Sequence, residues 1–524
     1  MDLGFLYHHR LPLGLIVLEV LRLLLSAEPL LAGFSHLEQR LFDHFVDEQH
    51  LLRRLARAVD FSRIDALCRS RTPDRAGGLS PVAPLRLFKF YIVLYLFNIP
   101  GERELCRRAK ADLAIRWFCG FGLVGSIPVH STLSKFRSRM GLETFQDAFL
   151  DVLRQCAEAH LIQAEEVILD GSKLLARATP IPPAQQGSVL LQRFLEGLFN
   201  TAYVEPATEE DRPRLEAILQ RVAAMVGAPI KNLHAFWPRF LGQLKPAPGA
   251  APRLVRFARL SKTQLTQSVR KVLLTLPHAI GDPCARYGST GEKEPFLGYL
   301  STFAIDPYKQ IITAPYLTHA AVYGSGHFHP VYAQHKQNLA RIGLRRPLKR
   351  ALMDKGYDQA DVRQTLHQDA VQAFISPKQR HNKHGVYSTD CFWFNDKGQL
   401  ICPNGSPMIS GPHRARKGGT LIYRCPRPDA CGDRSLCTKV KQRTVEIHPE
   451  TQRRRLESLL QKETREFKDA MSRRRLIEAV FGHGKSAHHL DKALYRNELM
   501  VRIQQTTAAT VMNMEKLIVA AHRG

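Results

Sequence analysis

Three carboxylates in separate parts of the sequence have the setting of a metal-dependent site. Asp170 ends the apolar run EVILD, and Asp354 ends the run RALMD, with a glycine close behind each. Glu478 lies in the segment RRRLIEAVFGHGK. Carboxylate oxygens are hard ligands that suit Mg²⁺ or Mn²⁺. Two such ions can stabilise the attacking and leaving oxygens of a phosphoryl transfer, and this is the chemistry the three acids would support.

Basic residues flank the third acid at helical spacing. Arg474 lies four residues before Glu478, and Lys485 lies seven after it. On one continuous helix these spacings place all three side chains on roughly one face. We therefore predict that Arg474 and Lys485 hold phosphates of a bound strand. Each acid alone also has an ordinary explanation, as turn chemistry or as a solvated ion pair, and it is their joint order that favours a site.

The elements that must position the two aspartates appear as short β-prone runs separated by helical ones. We predict a three-strand meander followed by β-α units, which gives a mixed α/β sheet with helices on both faces. The first and fourth strands would each end in an aspartate, so the two carboxylates are expected to lie side by side. The predicted strands are Glu166–Asp170, Phe296–Ile305, Gln310–Thr318, Arg350–Asp354 and Val371–Ile375.

The 524 residues exceed the usual size of one hydrophobic core, so we predict several domains. A helical pattern also covers about 450–521, with a break expected at Gly482 and Gly484. The predicted units are an N-terminal extension (1–38), a helical domain (39–160), a first part of an α/β core (161–380) with a helical insertion (186–275), a Cys-rich insertion (381–445) and a second part of the core, which carries the third acid (446–524).

The charge balance points to a polyanionic partner. Lys and Arg total 75 against 48 Asp and Glu, a formal net charge of +27. Nucleic acid or an anionic membrane surface would suit such a chain. The apolar run Leu11–Leu25 is interrupted by Glu19 and Arg22, so we predict neither a membrane span nor a signal peptide. A cytoplasmic, nucleoid-associated protein with reduced thiols is expected.

Five of the ten cysteines fall within residues 391–437. Four thiolates could form a structural Zn²⁺ site, in a segment that has too few apolar residues for a core of its own. The spacing is not that of paired C-x-x-C motifs, so reduced structural thiols remain an equal alternative. Cys391 or His413 could replace one ligand. The four candidate ligands are Cys402, Cys425, Cys431 and Cys437.

Lys135 and Arg137 lie in STLSKFRSRM, which opens with a candidate N-cap at Ser131, and they are candidate DNA contacts. Each further basic run is commonly just a solvated face, although several flank the three acids. Three histidines near the third acid are expected to face the surface or phosphates rather than to bind metal. The runs are Arg341–Arg350, His413–Lys417, Lys439–Arg443 and Arg473–Arg475, and the histidines are His483, His488 and His489.

The acid motifs together carry a family resemblance. Residues 478–485 have the form E-x-x-F-G-x-x-K, and LDGSK and MDKGYD contain the two aspartates. The stretches PLRLFKFYIVLYLF and IPVHSTLSKFRSRM resemble a helical N-terminal domain. Over about residues 45–521 the chain resembles DDE transposases of bacterial insertion sequences.

The resemblance implies an RNase H-like core with Asp170, Asp354 and Glu478 as catalytic, Mg²⁺-binding residues and Lys485 as a DNA-positioning residue. It also implies cleavage of double-stranded DNA at element ends, transfer into a target, and a homodimer on DNA. Arg474 and Tyr357 match positions near the site more loosely. The segment Thr318–Gly324 lacks the acid found in many relatives. Two alternatives remain: an RNase H-like nuclease that does not join strands, and a catalytically inactive DNA-binding protein.

Overall fold

The computed structural model describes residues 34–71, 82–180, 279–280, 282, 284–288, 295–322, 324–378, 386–410 and 419–522. The predicted insertion at 186–275, most of the N-terminal extension and the basic run His413–Lys417 lie outside these residues. Within the described ranges no helix has the length and apolarity that a membrane crossing requires.

Helices dominate both ends of the described chain, and strands dominate its middle. The helices are α1 (His36–Phe45), α2 (Leu51–Ala58), α3 (Ser62–Ser70), α4 (Pro84–Leu96), α5 (Glu102–Ala111), α6 (Leu113–Cys119), α7 (His130–Glu158), α8 (Phe328–Arg341), α9 (Ala360–Gln368), α10 (Arg434–Cys437), α11 (Pro449–Lys462), α12 (Arg465–Arg474), α13 (Leu476–Ala487) and α14 (Glu498–Ala521). The strands are β1 (Glu166–Leu175), β2 (Thr179–Pro180), β3 (Ala279–Ile280), β4 (Arg286–Gly288), β5 (Phe296–Asp306), β6 (Ile311–His319), β7 (Arg350–Met353), β8 (Gln372–Ile375), β9 (Trp393–Phe394), β10 (Leu400–Ile401), β11 (Ile409–Ser410), β12 (Leu421–Arg424) and β13 (Thr444–Ile447).

Six strands form the central sheet, which confirms the predicted mixed α/β class. β5 is antiparallel to β1 on one side and to β6 and the short β4 on the other. β7 is parallel to β1, and β8 is parallel to β7. The main body therefore has the order β6–β5–β1–β7–β8. This is the expected meander followed by parallel strands that helices connect.

Helices cover both faces of this sheet, as the sequence predicts. On one face Val167 and Met353 belong to a core shared with Phe328 of α8 and Val362 of α9. The opposite face, which includes Ile168, packs against α12, α13 and α14. Both faces of β1 are thus buried, as expected for a strand between two helical layers.

The N-terminal helices do not form a separate core. One continuous apolar cluster extends from Phe42 in α1 to Ile518 in α14 and includes residues of the sheet. α14 packs against α2, α4 and α7 on the helical side and against β6 on the sheet side. The side-chain amide of Asn513 on α14 bonds both backbone groups of Ile312, with N···O distances of 2.9 and 2.8 Å. The predicted domain boundary near residue 160 stays a prediction, and apolar packing runs across it.

The Cys-rich segment has a small core of its own, so the expectation that it lacks one was wrong. Phe392, Leu400, Tyr423 and Val445 are among its buried residues. Two small sheets, β9–β10 and β11–β12–β13, bring these side chains together from positions that are scattered along the sequence. The apolar content of the segment therefore looks too low for a core when only local runs of sequence are considered.

Three local predictions are corrected. β1 does not turn at Gly171 but continues to Leu175, because these residues pair with β5. The predicted break at Gly482 and Gly484 is absent, and the helical chain is instead interrupted at Arg475 and between α13 and α14. α7 begins at His130 with Val129 rather than Ser131 at its N-cap.

Candidate active site

Asp170 lies on β1 and Asp354 directly follows β7, at matching positions along two neighbouring parallel strands. Ile168 of β1 pairs with Leu352 of β7, so the same register carried two residues further aligns the two aspartates. Side chains alternate along a strand, and both acids share the face of Ile168 and Leu352. Burial and the neighbouring Asp354 carboxylate raise the pKa of Asp170 to about 6. The expected neighbourhood of these two residues is therefore present, although Asp170 lies within its strand rather than at its end.

Each aspartate is oriented by a backbone amide. The Asp354 Oδ1 accepts a hydrogen bond of 2.7 Å from the Gly356 N–H, at the start of a 3-10 turn over Lys355–Tyr357. The Asp170 Oδ1 accepts a hydrogen bond of 2.8 Å from the Gly171 N–H. The glycine after each acid therefore donates its backbone N–H to the carboxylate of that acid. The sequence alone indicated only turn chemistry at these positions.

Helix α13 brings Glu478 to the same face of the sheet. Phe481, one turn after Glu478, stacks on Phe303 with ring centroids 4.8 Å apart and planes within 4°. Phe303 is the β5 partner of Asp170 in the strand register. The phenylalanine of the E-x-x-F-G-x-x-K motif therefore fixes the helix beside the strand that carries the first acid.

Arg474 connects the first and third acids. Its Nη1 donates to the Asp170 Oδ2 at 2.9 Å, and its Nη2 forms an ion pair with the Glu478 Oε1. α12 ends at Arg474 and α13 begins two residues later, so Arg474 and Glu478 do not share one continuous helix as predicted. The guanidinium faces carboxylates, and its side chain is only 17% exposed. In this structure Arg474 therefore contacts the two carboxylates, and its predicted contact with DNA phosphate stays a prediction.

A second arginine, which the sequence placed only within a basic run, anchors α12 to the sheet. Arg473 donates to both carboxylate oxygens of Glu166 at 2.9 and 2.8 Å. Glu166 is buried at the start of β1 and also pairs with Arg350 of β7 at 3.3 Å. A bidentate pair of this kind fixes orientation as well as distance, so it holds the α12–α13 junction over β1 and β7.

Tyr357 and His327 form a buried pair next to the aspartates. The His327 Nε2 lies 2.8 Å from the Tyr357 hydroxyl oxygen. Burial raises the pKa of Tyr357, and the negative charges of Asp170 and Asp354 add to this rise, which places the ring near both acids. Burial also lowers the pKa of His327 to about 4. Sequence reasoning missed His327, because nothing local in its segment signals a partner in the motif of the second acid.

The basic candidates differ in exposure. Lys485 is partly exposed on α13, two turns after Glu478, and Lys135 is exposed on α7. Arg137 is instead buried, with an ion pair to Glu102 and its guanidinium 3.7 Å from the ring centre of Tyr495. The DNA contact of Arg137 stays a prediction, and the spacing of basic residues on α7 does not reveal that Arg137, unlike Lys135, faces inwards in this structure.

The four candidate zinc ligands line one pocket, together with Tyr387, Asp433 and Arg443. Burial raises the pKa of the Cys437 thiol, and the other three cysteines add to that rise. Cys391 is exposed and does not line this pocket, and His413 lies outside the described residues. Among the cysteines elsewhere, Cys68, Cys106, Cys119 and Cys156 are buried in the large core.

Two family matches agree with this architecture. Residues 40–139 match the family described as Transposase domain (DUF772), and residues 401–518 match the family described as Transposase DDE domain. The second match contains Glu478 and Lys485, while Asp170 and Asp354 lie outside both. No curated protein and no solved structure matches the chain. The two matches, one at each end of the described chain, support a DDE transposase of the insertion-sequence type.

Proposed function

We propose that this transposase cuts double-stranded DNA at the ends of its element and joins it to a target, with Asp170, Asp354 and Glu478 as the catalytic carboxylates of an RNase H-like core. The observation that carries this proposal is the convergence of the three acids on one face of the sheet. Strand register aligns the first two, and Arg474 joins the first to the third. Family members use divalent metal ions in general.

The donor set fits such ions. Asp170 and Asp354 are neighbouring carboxylates, and burial together with the negative charge of Asp354 raises the pKa of Asp170. A cation between them relieves the repulsion of the two charges, and oxygen donors suit Mg²⁺ or Mn²⁺. Bound as a pair, these ions would activate the attacking water or 3′-hydroxyl and stabilise the departing 3′-oxygen.

The protein's own contribution is orientation. The Phe481–Phe303 stack and the Arg473–Glu166 pair fix α13 and α12 over β1. Arg474 then acts as a positioning residue that holds the first and third carboxylates near each other. An exposed Glu478 leaves the site accessible from outside, which a DNA backbone requires.

The DNA would lie across the face of the sheet that carries the three acids. Lys485 is placed to contact phosphate near the reacting strand, and Lys135 to contact DNA on the helical region. The net charge of +27 offsets phosphate repulsion around an acidic centre. We further propose a homodimer on DNA, because two element ends must be held together, and action in the cytoplasm at the nucleoid.

Cleavage of labelled duplexes from both sides of the gene, incubated with full-length protein and Mg²⁺, tests the catalytic proposal. We expect Asp170→Asn, Asp354→Asn and Glu478→Gln each to lower the cleavage rate by about 10³-fold or more, while gel-shift binding of the same duplexes persists. Asp491→Asn is the matched control, since Asp491 is an exposed acid just beyond α13, and it should cut as the parent does.

Three outcomes would contradict the proposal in different ways. Variants that cut as fast as the parent would refute the assigned acids. If the parent and all variants bind the duplexes but none of them cuts, the alternative of a catalytically inactive DNA-binding protein would be favoured. Cleavage of ends without joining to a target plasmid would favour the nuclease.

We also propose that the pocket formed by Cys402, Cys425, Cys431 and Cys437 holds a structural Zn²⁺. Four soft donors around one cavity suit this ion, and a metal would stabilise a segment with so small a core. Cys425→Ser should lower the zinc content of purified protein by about one equivalent per chain. Cys391→Ser is the control, because Cys391 is exposed and lies outside the pocket, and it should keep the parental zinc content. An unchanged zinc content in Cys425→Ser would show that the four cysteines are reduced structural thiols.

A further inference from the structure

A second group of potential ligands lies at the other end of α13 from Glu478. His483 is on α13, His488 directly follows this helix, and Glu515 is on α14. The His483 Nε2 lies 2.7 Å from the Glu515 Oε2 and 3.0 Å from the His488 Nε2, which is 3.3 Å from the same carboxylate oxygen. Three donor atoms therefore converge to a triangle with sides near 3 Å.

The backbone fixes which nitrogen of His488 faces the cluster. Its Nδ1 lies 3.0 Å from the carbonyl oxygen of Tyr95, and since a carbonyl only accepts, Nδ1 must carry the proton. In the neutral ring this leaves the lone pair on Nε2, directed at His483 and Glu515. A ring whose other N–H donates to a backbone carbonyl is the arrangement typical of histidine ligands to metals.

Burial and charge in the cluster also suit a cation. His488 is completely buried, so its Nε2 lone pair has no access to bulk water. Burial raises the pKa of Glu515, but the contacts with His488 and His483 outweigh it and hold the pKa below the usual value, so this acid is anionic. The His483 side chain is 48% exposed, which leaves one side of the triangle open to solvent.

We propose that His483, His488 and Glu515 bind one Zn²⁺, or a similar late first-row divalent ion, at a site separate from the catalytic carboxylates. Two imidazole nitrogens and one carboxylate oxygen form a zinc-binding set, whereas Mg²⁺ prefers oxygen ligands alone. An ion about 2 Å from each donor, the usual Zn–N and Zn–O distance, fits above a triangle of this size. The exposed side leaves room for water as a fourth ligand.

The site would tie together three parts of the fold. His483 and Glu515 connect α13 to α14, and His488 extends the connection to α4 through the Tyr95 carbonyl. α13 also carries Glu478, so an ion here would fix the helix that presents the third acid. The chain can fold back at this point because Gly484 has no side chain, and a Cβ there would lie 2.6 Å from Leu490.

This inference reverses the prediction for two of the three histidines near Glu478. A histidine pair five residues apart, with its acid on another helix, matches no common ligand spacing, so the sequence favoured surface positions. His489 does not join the cluster: its Nε2 lies 2.8 Å from the carbonyl oxygen of Ile99.

Metal content measured without DNA tests the site independently of any cleavage activity. Full-length protein is loaded with Zn²⁺, desalted and analysed for zinc per chain by elemental mass spectrometry. We expect His483→Asn and Glu515→Gln each to lose about one equivalent relative to the parent. His522→Asn is the control, because His522 is an exposed histidine at the end of α14 outside the cluster, and it should retain the parental content.

Two further measurements make the result decisive. Circular dichroism should show that His483→Asn folds as the parent does, since this side chain is half exposed. Cys425→Ser should leave the equivalent that depends on His483 in place. If folded His483→Asn and Glu515→Gln both retain the parental zinc content, the cluster is only a hydrogen-bonded one and the proposal is wrong.

Discussion

The helical N-terminal region and the Cys-rich segment are joined to the same sheet in opposite ways. The helical region shares one uninterrupted apolar core with the sheet through α14. The Cys-rich segment has its own small core and reaches the rest of the protein through polar contacts from α11. Arg455 on α11 bonds Asp358 beside the second acid and Asp390 of the segment, each at 2.8 Å.

This difference separates two kinds of stability. Apolar burial across a continuous core makes its parts unfold together, whereas a segment tied by a few buried ion pairs can open locally at lower cost. We therefore expect the helical region and the sheet to behave as one cooperative unit and the Cys-rich segment as another.

The largest effect is expected from a cavity in the shared core. Phe145 on α7 is buried and stacks on Phe88 with ring centroids 5.6 Å apart. Phe145→Ala should lower the free energy of unfolding by about 4 kcal/mol, because both transfer energy and packing are lost. Denaturant unfolding measures the loss of free energy. Hydrogen exchange of the folded protein should be faster in both the helices and the sheet. Leu460→Ala, at a side chain exposed on α11, is the control, and a loss confined to the helices would contradict the single unit.

Breaking the polar connection should affect the other unit. Arg455 is buried, and Arg455→Met leaves the carboxylates of Asp358 and Asp390 without this partner. Removal of one member of a buried ion pair costs about 3 kcal/mol or more. Hydrogen exchange should rise by about 10²-fold in residues 386–447 and little in the sheet. Arg465→Met, at a fully solvent-facing position of α12, should change neither, and equal loss of protection in the sheet would show that the segment is not independent.

Mild acid should weaken the packing of α8 against the central sheet. His335 on α8 is completely buried with its Nδ1 2.7 Å from the Thr313 hydroxyl, and burial lowers its pKa from 6.5 to about 4. The unfolded chain binds this proton at higher pH than the folded protein does, so stability is lost as the pH falls from about 6.5 to 4. The loss should be about 2 to 3 kcal/mol. Denaturant unfolding of His335→Gln over this pH range should lack that part of the pH dependence. If the free energy of unfolding falls with pH as steeply in the variant as in the parent, His335 is not the cause of the loss.

The smallest effect on stability is expected from the exposed Lys135 on α7. Lys135→Ala should change the free energy of unfolding by less than about 0.5 kcal/mol. It should nevertheless weaken DNA binding and reduce the slope of log K against log salt by about one, as for one lost phosphate contact. Lys397→Ala, on the surface of the Cys-rich segment, should leave the slope unchanged. An unchanged slope for Lys135→Ala would show that Lys135 does not contact DNA and would contradict a DNA-binding role for this part of the helical region.

The sequence predicted what depends on local pattern. The β-prone runs before Asp170 and Asp354 are contiguous, and their order already requires two parallel neighbours, so the alignment of the acids could be predicted. The apolar Phe481 at one helical turn from Glu478 likewise indicated a packed helix. The class of the sheet and the order of its strands follow from the same short-range signals.

The remainder depends on partners that are distant in the sequence. Arg137 and Lys135 look equivalent on α7, and only contacts with Glu102 and Tyr495 bury the first. The sequence around Arg474 is typical of a phosphate-binding residue, whereas its partner in the structure, Asp170, lies some 300 residues earlier in the chain. His488 faces inwards because the Tyr95 carbonyl lies beside it. Such contacts have no counterpart in local periodicity, and so the positions that the sequence did not reveal are those of charged and polar residues.

The position of α14 has a consequence for biosynthesis. Translation delivers α1–α7 long before Glu498–Ala521, yet it is α14 that covers the apolar faces of α2, α4 and α7. Until α14 leaves the ribosome, the nascent chain exposes those apolar faces, and exposed apolar surface of this kind favours aggregation. A messenger truncated before this helix should therefore yield a short product that proteases remove, rather than a stable fragment that competes for the element's DNA.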